Sequence, residues 1–191
     1  MAANKSKIAV IVGSTRRDSI NRKLAQALVK LGEDQLAFTF VEIADLPLYS
    51  QDLEADLPAS VSRMKAQIEA ADGILIVTPE HNRSIPAALK NAIDWAARPW
   101  GKSSWPGKAA AVIGATPGAI GTSIAQLHLR QILGALGVLV MGGEAYITFK
   151  PDLIAADNTI TDASTRKFLS DFVANFASLL SRLAPAEAKA A

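Results

Sequence analysis

A polar loop follows the first apolar run of this chain, and its side chains are of kinds that bind anions. The run at 8–12 (IAVIV) ends at Gly13, and the sequence continues as STRRDSIN. This first loop, 13–21, carries hydroxyl, guanidinium and amide groups on Ser14, Thr15, Arg16, Arg17, Ser19 and Asn21. Leucines then recur at helical spacing, so the loop leads into an amphipathic helix. The first N–H groups of a helix lack intrahelical partners and attract negative charge.

A terminal phosphate suits this loop, because many donors converge on a few oxygens. A pyrophosphate does not, since the G-x-G-x-x-G that lets the backbone approach it is absent. The loop is not a P-loop either, since G-x-x-x-x-G-K-[ST] is absent. An ordinary capped turn with solvated arginines is the alternative, and either Asp18 or Ser19 is the predicted N-cap.

Two further loops follow later apolar runs and carry groups that suit a flat ligand. The second loop, 79–84, reads PEHNRS and offers backbone and side-chain groups to the edge of a planar heterocycle. The alternative is a solvated turn in which Asn82 and Ser84 cap the next helix, and His81 is expected to pack or hydrogen-bond rather than act as an acid. The third loop, 115–121, carries Thr116 as a donor and two glycines that permit close backbone approach.

Composition excludes several classes of protein. The 191 residues include no cysteine and only two histidines, so no metal centre is expected. A net charge of +2 without a basic run argues against a nucleic-acid partner. The G-x-S-x-G nucleophile elbow is absent from the sequence, which argues against a hydrolase. The start, MAANKSK, lacks the apolar segment of a signal peptide, and no run approaches the ~20 residues that span a bilayer. A soluble, cytoplasmic protein without a membrane partner is therefore expected.

The elements that must position these loops alternate between strands and helices. Strands are predicted at 8–12, 36–43, 73–78, 109–115 and 138–141, the last extended by 144–148. Helices are predicted after the first loop and at 59–71, 85–97, 121–136 and 162–183. This alternation predicts a single α/β domain over 1–191, a doubly wound five-stranded parallel sheet with helices on both faces. The ends, 1–6 and 184–191, are expected to be flexible. The three loops should meet at the carboxyl ends of the strands.

Two long motifs resemble a known family. GSTRRDSINRKLA resembles the G-S-x-R-x-x-S-x-N phosphate loop of the NAD(P)H-dependent FMN reductases, the flavodoxin-like group of quinone, azo-dye and chromate reductases. TPEHNRSIPAALKNAIDWAARP resembles that family's T-P-E-Y-N-x-S-x-P-x-x-L-K-N-A-I-D-W signature. The segments ADLPLYSQDL and GATPGAIGT…HLRQIL are similar as well, so the resemblance extends from the first strand into the fifth.

The resemblance implies one FMN per subunit and a flavodoxin-like fold. The residues on the family's 5′-phosphate loop are Ser14, Arg16, Ser19, Ile20 and Asn21. The residues beside the flavin ring are Pro79, Glu80, His81, Asn82 and Arg83, with Thr116 as a third contact. The implied reaction passes a hydride from NAD(P)H through FMN to quinones or similar acceptors, with azo dyes, chromate and free flavin as further candidates. The resemblance implies no obligatory catalytic side chain, and it implies a homodimer or homotetramer.

Two residues depart from the family pattern, and one alternative function is kept. His81 replaces the usual tyrosine, and Arg83 is a cation at a variable position that either attracts nucleotide phosphates or is solvated. The alternative is a flavodoxin-type electron carrier that NAD(P)H does not reduce directly. Such carriers are typically strongly acidic, so the near-balanced charge favours the reductase.

Overall fold

The computed structural model describes residues 5–184, which form a sheet with helices on both faces. The strands are β1 (Ser6–Val12), β2 (Leu36–Val41), β3 (Gly73–Val77), β4 (Ala109–Thr116), β5 (Leu139–Val140) and β6 (Tyr146–Thr148). The helices are α1 (Ile20–Gly32), α2 (Ala59–Glu69), α3 (Ala87–Ala96), α4 (Ser123–Ala135) and α5 (Ala163–Leu183). Of the two ends predicted to be flexible, 1–4 and 185–191 lie outside the described residues, whereas Ser6 already belongs to β1.

The strand order is β2-β1-β3-β4-β5, and every pair in it is parallel. Parallel neighbours need long crossovers, which the helices provide. The chain moves from β1 to β2 at one edge and then returns past β1 to β3. The topological switch point therefore lies between β1 and β3, where a ligand crevice is expected outside the carboxyl ends.

The sheet is buried on both faces, which explains why its strands read as unbroken apolar runs. All five residues of β3 are buried. Val10 and Val12 of β1 face a layer formed by α1 and α5, whereas Ile11 faces the layer of α2, α3 and α4. The doubly wound arrangement is thus confirmed.

The sheet has six strands rather than the predicted five. The segment expected as one extended fifth strand divides into β5, which pairs with the start of β4, and β6, which pairs with its end. Gly143 adopts a φ of +84° between them, where the chain leaves the sheet. Arg130 of α4 donates hydrogen bonds to the carbonyl oxygens of Met141 and Gly143 (both 2.7 Å), which satisfies backbone groups that the sheet leaves unpaired.

The starts of α1 and α3 can be compared with the prediction residue by residue. Helix α1 is capped by Ser19 and not by Asp18, since Ser19 Oγ accepts the N–H of Arg22 at 3.2 Å. Helix α3 begins at Ala87 rather than at 85, and Ser84 is not its cap. The physical reason is that the N–H and C=O of Ser84 pair with those of His81, so the backbone there is part of a turn.

The three tryptophans divide between core and surface. Trp95 and Trp105 are fully buried, and their indole N–H groups donate to the carbonyl oxygens of Pro47 (2.8 Å) and Ile93 (3.1 Å). Trp100, in the connection between α3 and β4, is 87% exposed. None of the helices within 5–184 is long and apolar enough to cross a membrane.

Candidate functional site

The three loops meet at the carboxyl end of the sheet and enclose a cleft of about 450 Å³. Its lining residues come from the end of β1 and the start of α1, from the second loop and the first turn of α3, and from the end of β4. They are Gly13, Ser14, Thr15, Arg16, Ser19, Ile20, Asn21, Pro79, Glu80, His81, Pro86, Ala87, Ala88, Ala115, Thr116 and Pro117. The cleft lies at the switch point, as the strand pattern predicts.

The amino terminus of α1 presents free donors to this cleft. The N–H of Arg22 bonds to Ser19 Oγ, and the N–H of Lys23 bonds to the Ser19 carbonyl oxygen at 3.1 Å. The N–H groups of Ile20 and Asn21 have no partner among the described residues. Two donors at the positive end of the helix dipole therefore remain for an anion.

The two arginines of the first loop differ in position. Arg16 lines the cleft, whereas Arg17 does not. Both side chains are exposed, and neither guanidinium has a hydrogen bond or ion pair within residues 5–184. Ser14 Oγ accepts the N–H of Arg16 at 3.4 Å, which leaves its hydroxyl proton available. A guanidinium and a hydroxyl thus extend the donor set of α1.

The amide of Asn21 is already paired inside the protein. Its Nδ2 donates to the carbonyl oxygen of Ala115 and its Oδ1 accepts the N–H of Ala115, both at 2.9 Å, and the residue is 1% exposed. Ile113, two residues earlier on β4, accepts the N–H of Thr78 in the same way. Asn21 therefore continues the hydrogen bonding of β4 beyond the end of β3, and only its backbone N–H is free for a ligand.

The second loop is a tight hairpin. His81 and Ser84 exchange two backbone hydrogen bonds of 2.9 Å, and the two residues between them adopt positive φ angles, +49° at Asn82 and +61° at Arg83. A two-residue turn with positive φ at both central positions is favoured in hairpins, because its twist matches that of the paired strands. Ser84 Oγ lies 3.0 Å from Nδ1 of His128, so the hairpin also contacts α4.

Glu80 makes contacts that the sequence did not suggest. Its Oε2 accepts the N–H groups of Ile124 (3.0 Å) and Ala125 (3.2 Å), which belong to the first turn of α4. Its Oε1 accepts Nη1 of Arg83 at 3.2 Å, and the side chain is 11% exposed. The carboxylate is therefore engaged within the protein although the residue lines the cleft.

One of the two glycines of the third loop, Gly121, serves internal packing. Gly121 adopts a φ of +59°, and a Cβ there would lie 2.6 Å from that of Tyr146. At the end of β4, a Cβ on Gly114 would overlap the Thr78 carbonyl oxygen and the Thr122 hydroxyl. Gly114 and Gly121 thus permit close packing at the end of β4 and against β6, whereas a Cβ on Gly118 would meet nothing closer than the Thr116 hydroxyl at 3.9 Å.

The structure brings most of the predicted site residues to one cleft. Those that line it are Ser14, Arg16, Ser19, Ile20, Asn21, Pro79, Glu80, His81 and Thr116, whereas Asn82 and Arg83 do not. An apolar part of the wall comes from residues that were not predicted site residues: Pro86, Ala87, Ala88 and Pro117. The available signal was a proline, Pro86, immediately before the helix that follows the second loop.

The donors fit a phosphate monoester bearing a planar group. The first loop contributes to the cleft two free N–H groups, three hydroxyls and one unpaired guanidinium, and prolines and alanines form another part of its lining. FMN requires strong donors for its phosphate and an apolar wall for its ring. No cluster of three or more His, Asp or Glu side chains that could hold a metal is found between residues 5 and 184.

Comparisons with known proteins agree with this chemistry. The family described as NADPH-dependent FMN reductase matches residues 6–152. A 2-hydroxy-1,4-benzoquinone reductase from a Burkholderia species is 52% identical over 172 residues, which cover 90% of this chain and 94% of that protein. The flavoenzyme NAD(P)H:(acceptor) oxidoreductase FerB from Paracoccus denitrificans has 49% identity and a TM-score of 0.90, covering 93% of this chain and 98% of that one.

A more distant structure bears on the fold alone. The flavodoxin, WrbA-like protein from Agrobacterium tumefaciens superposes with a TM-score of 0.61 at 15% identity, covering 94% of this chain and 100% of that one. The flavodoxin-like fold is thereby confirmed. The relatives that share half of the sequence have reductase names, which favours the reductase over the electron carrier.

Proposed function

This chain belongs to the NADPH-dependent FMN reductase family and is an FMN-dependent NAD(P)H oxidoreductase, and from that premise we propose that its electron acceptor is a quinone. NAD(P)H and a proton would be consumed with the quinone, giving NAD(P)⁺ and the hydroquinone. When bound, FMN supplies the two-electron chemistry that links the two half-reactions. Azo dyes, chromate and free flavin are further acceptors that the proposal includes.

The observation that carries the proposal is the unpaired donor set at one end of the cleft. Arg16 and the free N–H groups of Ile20 and Asn21 face no protein acceptor within the described chain. We assign the FMN phosphate to these groups together with the hydroxyls of Ser14 and Ser19. Their positive field balances a dianion that would otherwise be costly to hold against protein.

The ring side of the cleft is assigned to backbone and apolar groups. Pro79 and Glu80 present main-chain groups, whereas His81, whose N–H and C=O are paired with Ser84, is assigned to the ring side through its imidazole. Thr116 Oγ1 accepts the N–H of Gly118 at 3.4 Å, and its hydroxyl proton remains available to a ligand. Asn82 and Arg83 are assigned to the rim beside the ring. Pro86, Ala87 and Ala88 exclude water from the wall on which a ring packs. These residues bind and orient, and none is assigned a catalytic proton transfer.

The cellular setting is also part of the proposal. The protein acts in the cytoplasm, because its reductant NAD(P)H is an intracellular metabolite. It works as a homodimer or homotetramer, for which the support is a large exposed apolar side chain, Trp100, beside the end of α3. The residues 1–191 act as one FMN-binding domain.

An anaerobic absorbance experiment tests the function directly. The purified protein is loaded with FMN, its visible spectrum is recorded, and NADPH or NADH is added, followed by 1,4-benzoquinone. We expect the flavin band to bleach on mixing with the nucleotide and to recover with the quinone. Bound flavin that stays oxidised would identify a carrier instead, and a protein that binds no FMN would show that the first loop is not a phosphate site.

A further inference from the structure

We infer that Glu80 is a positioning residue for the cleft: its carboxylate caps α4 and thereby holds the second loop in place beside the third. The inference rests on the proposed FMN site, because it concerns the wall assigned to the flavin ring. The side chain of Glu80 binds the first turn of α4, whereas its backbone faces the ligand. Glu80 therefore acts on the ligand through the backbone it fixes.

Helix α4 lacks a cap of its own. The residue at its N-cap position, Thr122, has a φ of +66° and makes no side-chain capping bond. Its hydroxyl instead accepts Nε2 of Gln126 at 3.1 Å. The N–H groups of Ile124 and Ala125 would then be unpaired in a half-buried position, which is costly. Glu80, 44 residues earlier in the chain, supplies the missing acceptor.

The charge of the carboxylate is matched by its surroundings. Oε2 faces the positive end of the α4 dipole, and Oε1 faces the Arg83 guanidinium. Both oxygens are therefore paired, and the side chain is nearly buried. The carboxylate therefore neutralises the positive end of α4 and the Arg83 guanidinium. Because its charge is compensated in this way, it does not repel an anion bound in the cleft.

The second loop is attached to α4 at two points. Glu80 binds the first turn of the helix, and Ser84, on the other strand of the hairpin, contacts His128 in the same helix. Between them, the two hydrogen bonds of His81 with Ser84 fix the shape of the turn. A hairpin held at both ends presents the backbone of Pro79 and Glu80 in one position. Removal of Glu80 would release the end that is nearest to the ring side of the cleft.

The experiment compares Glu80→Ala, Glu80→Gln and a matched control, Asp162→Ala. Asp162 caps α5 through the N–H of Thr165 (2.7 Å) and does not line the cleft, so its removal costs a helix cap without touching the second loop. Amide hydrogen exchange in the FMN-free protein is measured first. In Glu80→Ala we expect faster exchange at Ile124, Ala125 and the amides of 80–84, with no such change in Asp162→Ala.

Flavin affinities then separate positioning from general stability. Glu80→Ala should weaken both FMN and riboflavin by the same factor, about tenfold, comparable to a lost helix cap. Riboflavin lacks the phosphate, so equal losses locate the effect on the ring side. Glu80→Gln retains one acceptor oxygen and should lose less affinity than Glu80→Ala. Asp162→Ala should lower the melting temperature while binding both flavins like the parent protein.

The contrary outcomes are distinct. If Glu80→Ala binds both flavins like the parent and only melts earlier, Glu80 is a helix cap without a positioning role. If it weakens FMN but not riboflavin, the carboxylate acts on the phosphate side, and the inference is wrong. A parent protein that binds no flavin would contradict the proposed function, and the exchange of Ile124, Ala125 and 80–84 would still decide whether Glu80 holds the loop.

Discussion

The polar side chains around the cleft differ in whether their groups are already paired within the protein. Asn21 is fully paired with the backbone of Ala115, and Ser19 Oγ accepts from the first turn of α1. Arg16, in contrast, is unpaired and lines the cleft. Residue type alone therefore does not identify a ligand contact, and the unpaired groups are the ones with free energy to gain from a ligand.

Arg16→Gln should weaken FMN binding at least about tenfold, because a charge-assisted hydrogen bond is worth about 1.5–3 kcal/mol. Riboflavin affinity should not change, since the guanidinium is assigned to the phosphate. Fluorescence quenching of each flavin on binding measures both constants.

Arg17→Gln is the matched control for this change. It removes the same charge from the neighbouring position, which is outside the cleft. We expect near-parent FMN affinity for it. Equal losses in the two variants would mean that the loop attracts the phosphate only through its net charge.

The join between α1 and β4 is the main link between elements at this site. Asn21 lies in the first turn of α1, yet its amide completes the hydrogen bonding of β4 at Ala115, 94 residues later. This contact fixes the direction from which the free N–H groups of α1 face the cleft. A displacement of α1 would therefore displace the proposed phosphate site.

Asn21→Ala should destabilise the FMN-free protein by about 2–5 kcal/mol, because it leaves the buried N–H and C=O of Ala115 unpaired. Urea unfolding monitored by circular dichroism measures the change. Asn175→Ala, an exposed asparagine on α5, serves as the control and should leave the free energy of unfolding within about 0.5 kcal/mol. A loss in Asn21→Ala no greater than in the control would contradict the structural role of the amide.

The sequence predicted where the loops meet but not what joins them. Apolar runs and helical spacing are local signals, so the strands, the helices and the switch point follow from them. The partners of Glu80 and Asn21 lie 44 and 94 residues away, and no local pattern encodes such pairs. Ser84 failed as a helix cap for the same reason, since its backbone is paired in a hairpin that depends on two residues with positive φ. The division of the last strand into β5 and β6 could not be predicted from the hydrophobic pattern either, because β5 has only two residues.

At the scale of the molecule, two large apolar side chains stand out on the surface. Leu48 and Trp100 are 83% and 87% exposed. Both flank the carboxyl-terminal half of α3: the Pro47 carbonyl beside Leu48 accepts the indole of Trp95, and Trp100 follows the end of the helix. Exposed apolar groups of this size are common at subunit contacts.

Trp100→Ala should shift the protein toward smaller species in light scattering, because the side chain packs little within the monomer and is available to a second subunit. Phe168→Ala, on α5 at the opposite face of the sheet, is the control and should leave the molar mass unchanged. An unchanged mass for Trp100→Ala would remove this residue from the proposed interface.

Stability should fall in acid through two exposed carboxylates. The pKa of Asp157 is lowered to about 2, chiefly by Thr159 and Lys30, and that of Asp162 to about 2, chiefly by Ser164 and the N–H of Thr165. Since both lie below the ordinary value of 3.8, the unfolded chain binds protons first as the pH falls. Their contribution is complete above about pH 4 and disappears as the pH falls through about 2. Urea midpoints between pH 5 and pH 2 should fall less steeply in the double variant Asp157→Asn, Asp162→Asn than in the parent.

The backbone at Arg83 sets stability against the role proposed for its side chain. A φ of +61° costs a residue with a Cβ roughly 1–2 kcal/mol, a cost that glycine avoids. The chain nevertheless carries a long cation there, next to the carboxylate that caps α4. Selection in the laboratory for heat resistance alone would therefore favour glycine at this position. The same selection would discard a positive charge beside the cleft, so thermostable variants from such a screen should be assayed for nucleotide affinity before they are used.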